Sequence, residues 1–399
     1  MKTVLIILDG LSDKPVKKLK NRTPLEAAKT PNLDYLASNG VCGLIESFYF
    51  PWQKYPRSDT AHLALFGYDP RVYYLGRGVY EAVGENIRMK KGEVALRANF
   101  ATVDKNLKIL NRRAGRISNT GALIKAISGI KIKGIKFSVT ESLGHRAVLV
   151  LKGKGLSSSI GGGDADKNIG IKAKSIIALD KSKKAKFTAE VLNEFLKQTH
   201  DILKNHSLNK KRKGKGLLPA NYLLVRGAGE FRKTPSFYEK YKLKAGCIAA
   251  GHIYKGIAKV LGMDLINAQG ATGGVDTNLP GKISSIKKNF KKYDFIFCHI
   301  KAADILSENG DCVGKMKFIE KIDKNIGSLL NIKDTRIVVT ADHSTSCQTK
   351  KHCTELIPVL IYEHQKSENR EIKFSEKSCK KGKLKKFKQI KLMTKILKK

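Results

Sequence analysis

Strand-like and helical segments alternate along the chain, and this alternation predicts an α/β protein with a largely parallel central sheet flanked by helices. Two further observations support that fold class. The apolar runs at 4–8 (VLIIL), 293–300 (YDFIFCHI), 336–340 (RIVVT) and 357–362 (IPVLIY) are continuous rather than alternating, as in strands buried on both faces. Several of them also run directly into polar, acidic loops.

Taken in order, residues 1–10 hold one Lys and a short apolar run that ends at Asp9-Gly10. No small-residue cleavage site follows, so the run reads as a central strand and not as a signal peptide. Residues 32–39 read as a short helix, started by Thr30-Pro31 and stopped by Gly40. In the middle of the chain, 94–103 and 147–151 read as strands, and 188–205 as one amphipathic helix with Thr188 as its N-cap. The Gly/Ser-rich stretch 153–170 is expected to form a mobile loop, and the basic stretch 209–216 (NKKRKGKG) a linker. The tail from Lys366 is rich in lysine, yet Leu392, Met393, Ile396 and Leu397 keep helical spacing and predict a docked helix.

Composition narrows the class of function. No run approaches the roughly 18–20 apolar residues of a membrane helix, which leads us to expect a soluble, cytoplasmic protein without a membrane partner. The net charge of +42, from 77 Lys+Arg against 35 Asp+Glu, creates a field that attracts polyanions and steers anionic substrates. The lysines are spread along the chain and the aromatics do not interleave with them as in a stacking platform. Weak polyanion binding is therefore expected as a side effect, with no specific nucleic-acid partner. Cys42, Cys247, Cys298, Cys312, Cys347, Cys353 and Cys379 form no CxxC pair, which suits reduced thiols.

Carboxylates and histidines gather where the apolar runs end. Asp9 closes the first, Asp304 follows YDFIFCHI, Asp342-His343 follows RIVVT, and His352 stands ten residues beyond Asp342. In an open α/β sheet the loops beyond the carboxyl ends of the strands converge on one crevice. Hard oxygen ligands with imidazoles suit Mn²⁺, Zn²⁺ or Mg²⁺. Two such ions roughly 3.5–4 Å apart stabilise the attacking and leaving oxygens of a phosphoryl displacement. Singly, each residue reads as an ordinary turn or cap residue; the joint pattern favours metal.

The second signal is residues 58–70 (SDTAHLALFGYDP). Ser58 or Asp59 is expected to N-cap a helix over about 60–66, stopped by Gly67. A capping role worth about 1 kcal/mol is the plain reading. The chemical reading is a serine facing the N–H groups and partial positive charge of a helix start, which suit phosphate. A metal on its oxygen would lower the hydroxyl pKa and make it a nucleophile.

Together with IILDG at 6–10 and TPLEAAKTPNL at 23–33, that segment resembles the archaeal type of cofactor-independent phosphoglycerate mutases, within the alkaline-phosphatase superfamily. GRG at 76–78, RANFATVD at 97–104, RRAGRI at 112–117, ATGGVDTN at 271–278, HIKA at 299–302 and ADHST at 341–345 continue the resemblance in the same order over nearly the whole chain. It implies an alkaline-phosphatase-like α/β domain built from residues 1–79 and 216–399, interrupted by a smaller α/β (α+β) substrate-handling domain over 80–215.

Carried over position by position, the resemblance implies one divalent cation held by Asp9, Ser58, Asp342 and His343, and a second held by Asp304, Glu308 and His352. Mn²⁺ is the first expectation, with Zn²⁺, Co²⁺ or Mg²⁺ as alternatives, and no 2,3-bisphosphoglycerate is required. Ser58 would take the phosphoryl group of 3-phosphoglycerate as a phosphoserine and return it to the 2-hydroxyl. Arg112, Arg113 and Arg116 are expected to grip phosphate and carboxylate, because a guanidinium fork binds both bidentately. His145 and Lys301 join them as acid/base or charge partners; for the arginines, a structural salt bridge is an equal reading.

The chain departs from the family pattern twice. Glu308 stands where the family has histidine, on one helical face with Asp304. Residues 164–168 (DADKN) replace a family Asp-Thr-Asp-Pro-His stretch. Two other functions fit parts of the same pattern: a phosphate-monoester hydrolase using the same Ser58, and a catalytically impaired relative that binds polyanions.

Overall fold

The first apolar run becomes the buried strand Lys2–Leu8 of an eight-stranded sheet, among the described residues 1–163, 169–364 and 372–397. In this computed structural model the strand order is Asp264–Leu265, Ala245–Ile248, Phe295–Ile300, Lys2–Leu8, Thr335–Thr340, Ile357–Glu363, Val41–Glu46, Lys385–Lys388. Lys2–Leu8 pairs in parallel with both of its neighbours, and most other pairs are parallel too. Ile357–Glu363 is the exception, antiparallel to both strands beside it. It is reached through the small hairpin Ser344–Ser346/Lys351–Cys353, and a connection without a crossover helix cannot carry the chain back to start a parallel strand. Phe295, Phe297, Val338, Val339, Val359 and Leu360 are fully buried, as continuous apolar strands require.

The chain divides into two compact units: Met1–Tyr74 with Thr234–Lys399, which carries this sheet, and Leu75–Lys233. The second unit is wider than the 80–215 expected from sequence, because the helix Arg77–Gly84 and the strand Tyr222–Glu230 both pack on the strand Val94–Val103. Its main sheet is antiparallel, in the order Tyr222–Glu230, Val94–Val103, Arg146–Lys152, Ile135–Glu141, Lys131–Ile132. One face packs on the helix Lys183–Asn205, where Phe137 and Phe195 stack at 4.3 Å. The other face is covered by Arg77–Gly84.

Three local expectations are corrected. The long helix begins at Lys183 with Ser182 as N-cap, and Thr188 lies inside it, buried, its hydroxyl bonded to the Lys184 carbonyl. The basic stretch near 209–216 is mostly the helix Ser207–Gly214, anchored by the buried Asn209 amide on the Leu203 and Ala220 carbonyls, so it is no linker. Within 153–170, Ile160–Gly163 is a strand paired with Lys174–Ala178, which tertiary pairing holds in spite of its glycines. The altered stretch 164–168 lies outside the described residues. Near the other end, Leu392–Leu397 is helical with Leu392, Met393 and Ile396 buried.

Candidate metal centre and nucleophile

Register brings the predicted ligands together. Leu8 lies opposite Ile300, and Ile7 opposite Thr340, so the next residues on three adjacent parallel strands leave the same edge of the sheet. Those residues are Asp9, Lys301, and the Asp342-His343 pair one step further. The helix Ala302–Asn309 starts immediately after its strand and carries Asp304 in its first turn. The hairpin that follows His343 pairs Thr345 with His352 and so delivers the second imidazole.

Among the described residues two sets of ligand atoms, Asp9/Asp342/His343 and Asp304/His343/His352, each lie within 4.8 Å of one another. All of these side chains are buried except His352, which is partly so. Burial lowers the pKa of both His343 and His352, so each is a neutral imidazole at pH 7. Their hydrogen bonds select the tautomer. His352 Nδ1 lies 2.8 Å from the Pro56 carbonyl, which can only accept, so the proton is on Nδ1 and the Nε2 lone pair faces Asp304 Oδ1 at 3.6 Å. The Thr345 hydroxyl donates to Asp304 Oδ1 at 2.7 Å and accepts from His343 Nδ1 at 3.2 Å. His343 Nε2 is thereby left with its lone pair 3.3 Å from Asp342 Oδ2 and 3.5 Å from Asp9 Oδ1.

Asp9 is held by one oxygen only. Its Oδ2 accepts from the Tyr254 hydroxyl at 2.5 Å, His299 Nε2 at 3.0 Å and the Lys301 ammonium at 3.1 Å. Oδ1, like Asp342 Oδ2, is buried with no hydrogen-bond partner among the described residues. Burial pushes the Asp9 carboxyl up, but Lys301 and then the His299 bond outweigh it and hold the group well below the usual carboxylate range. Burial and then the Asp9 charge push Asp342 up to about 7. Two orphaned carboxylate oxygens and an imidazole lone pair thus converge in a buried space, an arrangement that a divalent cation relieves. The residues present fit such an ion.

Ser58 is the first residue of the helix Ser58–Leu65 and does not cap it; Arg57 holds the N-cap position without a side-chain bond. Asp59 is unavailable as a cap because its carboxylate accepts from Thr60 N and, at 2.7 Å, from the Tyr74 hydroxyl. The Ser58 hydroxyl instead lies 3.2 Å from His343 Nε2. One turn on, the fully buried His62 places Nδ1 2.7 Å from the Ser58 carbonyl, and its ring packs beside Tyr254 and His299. The Gln389 side-chain amide joins two walls of the centre: it donates to the Asp342 carbonyl at 2.7 Å and accepts from Phe48 N at 2.8 Å.

Glu308 is exposed one turn beyond Asp304, outside both ligand sets among the described residues. Partial desolvation and the Asp304 charge raise its pKa. Lys301 bridges the two sets, bonded to Asp9 and, at 2.7 Å, to Asp304.

The other predicted residues lie in the second unit. Arg113 and Arg116 are exposed at either side of a tight left-handed turn in which Ala114, Gly115 and Arg116 all have positive φ (44°, 66° and 58°), a backbone that non-glycine residues adopt at a cost of about 1–3 kcal/mol each. Arg112 precedes them, partly buried. His145 is lowered to about 4 by burial and then by Arg146, Arg113, Arg97 and Arg116, so it is neutral at pH 7. Sequence reasoning missed the centre of this cluster. Arg97 and Arg226 stand directly opposite on paired strands, with Arg146 opposite Asn99 on the other side. Glu81 is the carboxylate that Arg77 and Arg97 share, at 2.7 and 3.3 Å, and Arg97 Nε and Arg146 Nε are buried without partners among the described residues. Directly opposed like charges destabilise a sheet. A charged residue inside otherwise apolar strands (VALRANF, NYLLVRG) was the available signal. Tyr254 lies inside the helix His252–Val260 and gave none.

Among the described residues no helix is long and apolar enough to cross a membrane. Residues 1–399 match the family model described as the metalloenzyme superfamily. A 2,3-bisphosphoglycerate-independent phosphoglycerate mutase of Archaeoglobus fulgidus is 44% identical over 389 residues, covering 96% of this chain and 94% of that protein. One from Methanocaldococcus jannaschii is 42% identical, covering 96% and 93%. The solved cofactor-independent phosphoglycerate mutase of Thermoplasma acidophilum superposes with a TM-score of 0.73 at 35% identity, covering 100% of this chain and 99% of that one. A solved protein from Pyrococcus horikoshii gives 0.82 at 31% identity, covering 99% and 96%. Similarity this high, over nearly the full length of both partners, makes the chain a member of the family of 2,3-bisphosphoglycerate-independent phosphoglycerate mutases.

Proposed function

We propose that the chain interconverts 3-phosphoglycerate and 2-phosphoglycerate through a phosphoserine at Ser58, without bisphosphoglycerate as a cofactor. The observation that carries this reading is the Ser58 hydroxyl 3.2 Å from His343 Nε2, at the edge of two ligand sets, one of which holds the orphaned oxygens of Asp9 and Asp342. Asp9, Ser58, Asp342 and His343 would hold one divalent cation, and Asp304 and His352 a second, with Glu308 completing it. The ions, Mn²⁺ first among them, supply Lewis-acid stabilisation of phosphoryl oxygens and acidify a bound hydroxyl.

The protein's own residues do the rest. Ser58 Oγ gives up its proton and bonds to phosphorus as the bond to the C3 oxygen of the substrate breaks, and that oxygen takes up one proton, so none is gained or lost in the exchange. The resulting glycerate then offers its C2 hydroxyl to the phosphoserine, and the reverse displacement frees Ser58. Lys301, with two of its three N–H groups on Asp9 and Asp304, keeps one for a phosphoryl oxygen. Arg112, Arg113 and Arg116 are assigned to the substrate's anionic groups, because a guanidinium fork binds phosphate and carboxylate bidentately. His145, neutral at pH 7, is assigned to a substrate hydroxyl. Buried free cysteines support a cytoplasmic setting.

The test is one assay with two readouts. Protein loaded with Mn²⁺ and given 3-phosphoglycerate is expected to form 2-phosphoglycerate in large excess over inorganic phosphate, and Ser58→Ala is expected to abolish both while keeping the fold. Phosphate as the main product would make the chain a hydrolase. Near-normal turnover of Ser58→Ala would remove Ser58 from the mechanism.

A further inference from the structure

One buried hydroxyl touches both ligand sets. Thr345 is fully buried, donates through Oγ1 to Asp304 Oδ1 at 2.7 Å and accepts from His343 Nδ1 at 3.2 Å, and pairs across the hairpin with His352. A hydroxyl has one proton, so giving it to Asp304 obliges the contact with His343 to run the other way. That single choice orients the Asp304 carboxylate and fixes His343 with its lone pair on Nε2, turned toward Asp9 Oδ1, Asp342 Oδ2 and Ser58 Oγ.

Thr345 is itself held rigidly. Its N–H donates to the Ser12 carbonyl at 3.0 Å, and its own carbonyl accepts from the buried Lys315 ammonium at 3.1 Å. Lys315 is anchored by Asp13 at 3.0 Å, and Asp13 also accepts from Cys347 N at 3.1 Å. Gly10 leaves room for the hydroxyl: with φ of +68°, a Cβ there would fall 2.8 Å from Thr345 Oγ1 and 2.9 Å from the Asp304 backbone. The elements on every side thus converge on the position of one oxygen atom.

We propose that Thr345 is the positioning residue shared by the two cation sites, setting the His343 tautomer for one and the Asp304 orientation for the other. The proposal rests on the metal-centre reading given above. Groups that orient first ligands are worth about 10–100-fold in metal affinity. Deleting this hydroxyl is therefore expected to weaken both ions together, whereas a ligand belonging to one site weakens that site first.

The experiment titrates Mn²⁺ into metal-free full-length protein and reads free Mn²⁺ by electron paramagnetic resonance, with no turnover needed. Wild type is expected to bind two ions. Thr345→Val, nearly the same shape without the hydroxyl, is expected to lose about 10–100-fold in affinity for both, and Thr345→Ser, which restores an O–H, to recover most of it. Thermal unfolding of the metal-free variants checks the fold, and Thr345→Ala replaces Thr345→Val if the latter does not fold. Wild type binding no Mn²⁺ would overturn the metal centre itself. Two ions in wild type with unchanged affinities in Thr345→Val, or a loss confined to one of them, would overturn the shared role of Thr345 and leave the metal centre standing. Failure of Thr345→Ser to recover either ion would also overturn it.

Discussion

Replacing Asp342 by Asn in the metal-free protein should reverse its effect on stability across neutral pH. The Asp342 carboxyl is fully buried beside the charged Asp9, and burial followed by that charge lifts it from 3.8 to about 7. A folded pKa above the unfolded one means that the native state holds the proton more tightly. The stabilisation is complete below about 3.8 and is lost as pH rises through about 7. Between pH 5 and pH 8 the group crosses roughly two pH units at about 1.4 kcal/mol each, so wild type loses about 3 kcal/mol through this residue. The amide in the Asp342→Asn variant cannot titrate, and every other ionisable group is common to both proteins. The stability of wild type relative to Asp342→Asn should therefore fall by about 3 kcal/mol over that range, or about 6–12 °C in Tm for a unit of this size. Thermal unfolding of both proteins with EDTA, at pH 5, 6, 7 and 8, reads the difference directly. Excess Mn²⁺ should invert the order at pH 8, because only wild type keeps the full ligand set. A metal-free difference that stays within about 0.5 kcal/mol over the whole range would refute the raised carboxyl and the crowding with Asp9 that causes it.

Chelation with EDTA should silence turnover, with Mn²⁺ or Co²⁺ restoring it, and saturating ion at 100 times its Kd should add about 3 kcal/mol to stability; full activity after metal-free dialysis would contradict a two-ion centre. Glu308→His is expected to preserve or raise activity, whereas Glu308→Ala should lower the occupancy of one ion; metal content unchanged in both variants would take Glu308 out of the ligand set. Phe195→Ala removes half of the buried stack with Phe137 and should cost about 3–5 kcal/mol in the unit Leu75–Lys233, seen as an earlier unfolding transition.

The centre was readable from sequence where chemistry coincides with an element boundary. Asp9, Asp304, Asp342 and His343 each follow a continuous apolar run, and parallel register does the gathering, as Leu8 against Ile300 and Ile7 against Thr340 show. What supports those ligands was not readable, because Tyr254, Thr345 and Gln389 reach the site by packing of distant segments, and no local period marks a residue whose partner lies more than 40 positions away. The helix start at Ser58 was legible but its cap was not: Arg57 holds the N-cap position, and the Tyr74 hydroxyl, which occupies Asp59, is invisible to a capping rule. The start of the Lys183–Asn205 helix was missed because Lys183, Lys184 and Lys186 give its first turn a solvated appearance, although Ser182 caps it. The same composition hid the Ser207–Gly214 helix, where lysines are adequate helix formers once Asn209 is anchored.

The Gln389 amide has a consequence for how the protein comes into being. Synthesis proceeds from the N-terminus, and domains acquire structure as they emerge. When the ribosome has made everything up to Lys388, each acid and imidazole of the centre already exists, yet the clip between the Phe48 and Asp342 backbones does not. The helix Ser58–Leu65 packs on the turn that Gln389 begins, so it too awaits that residue. A nascent chain that has reached only Lys388 therefore carries a serine and a set of ligands that are not yet locked face to face, and the clip that joins them waits for Gln389.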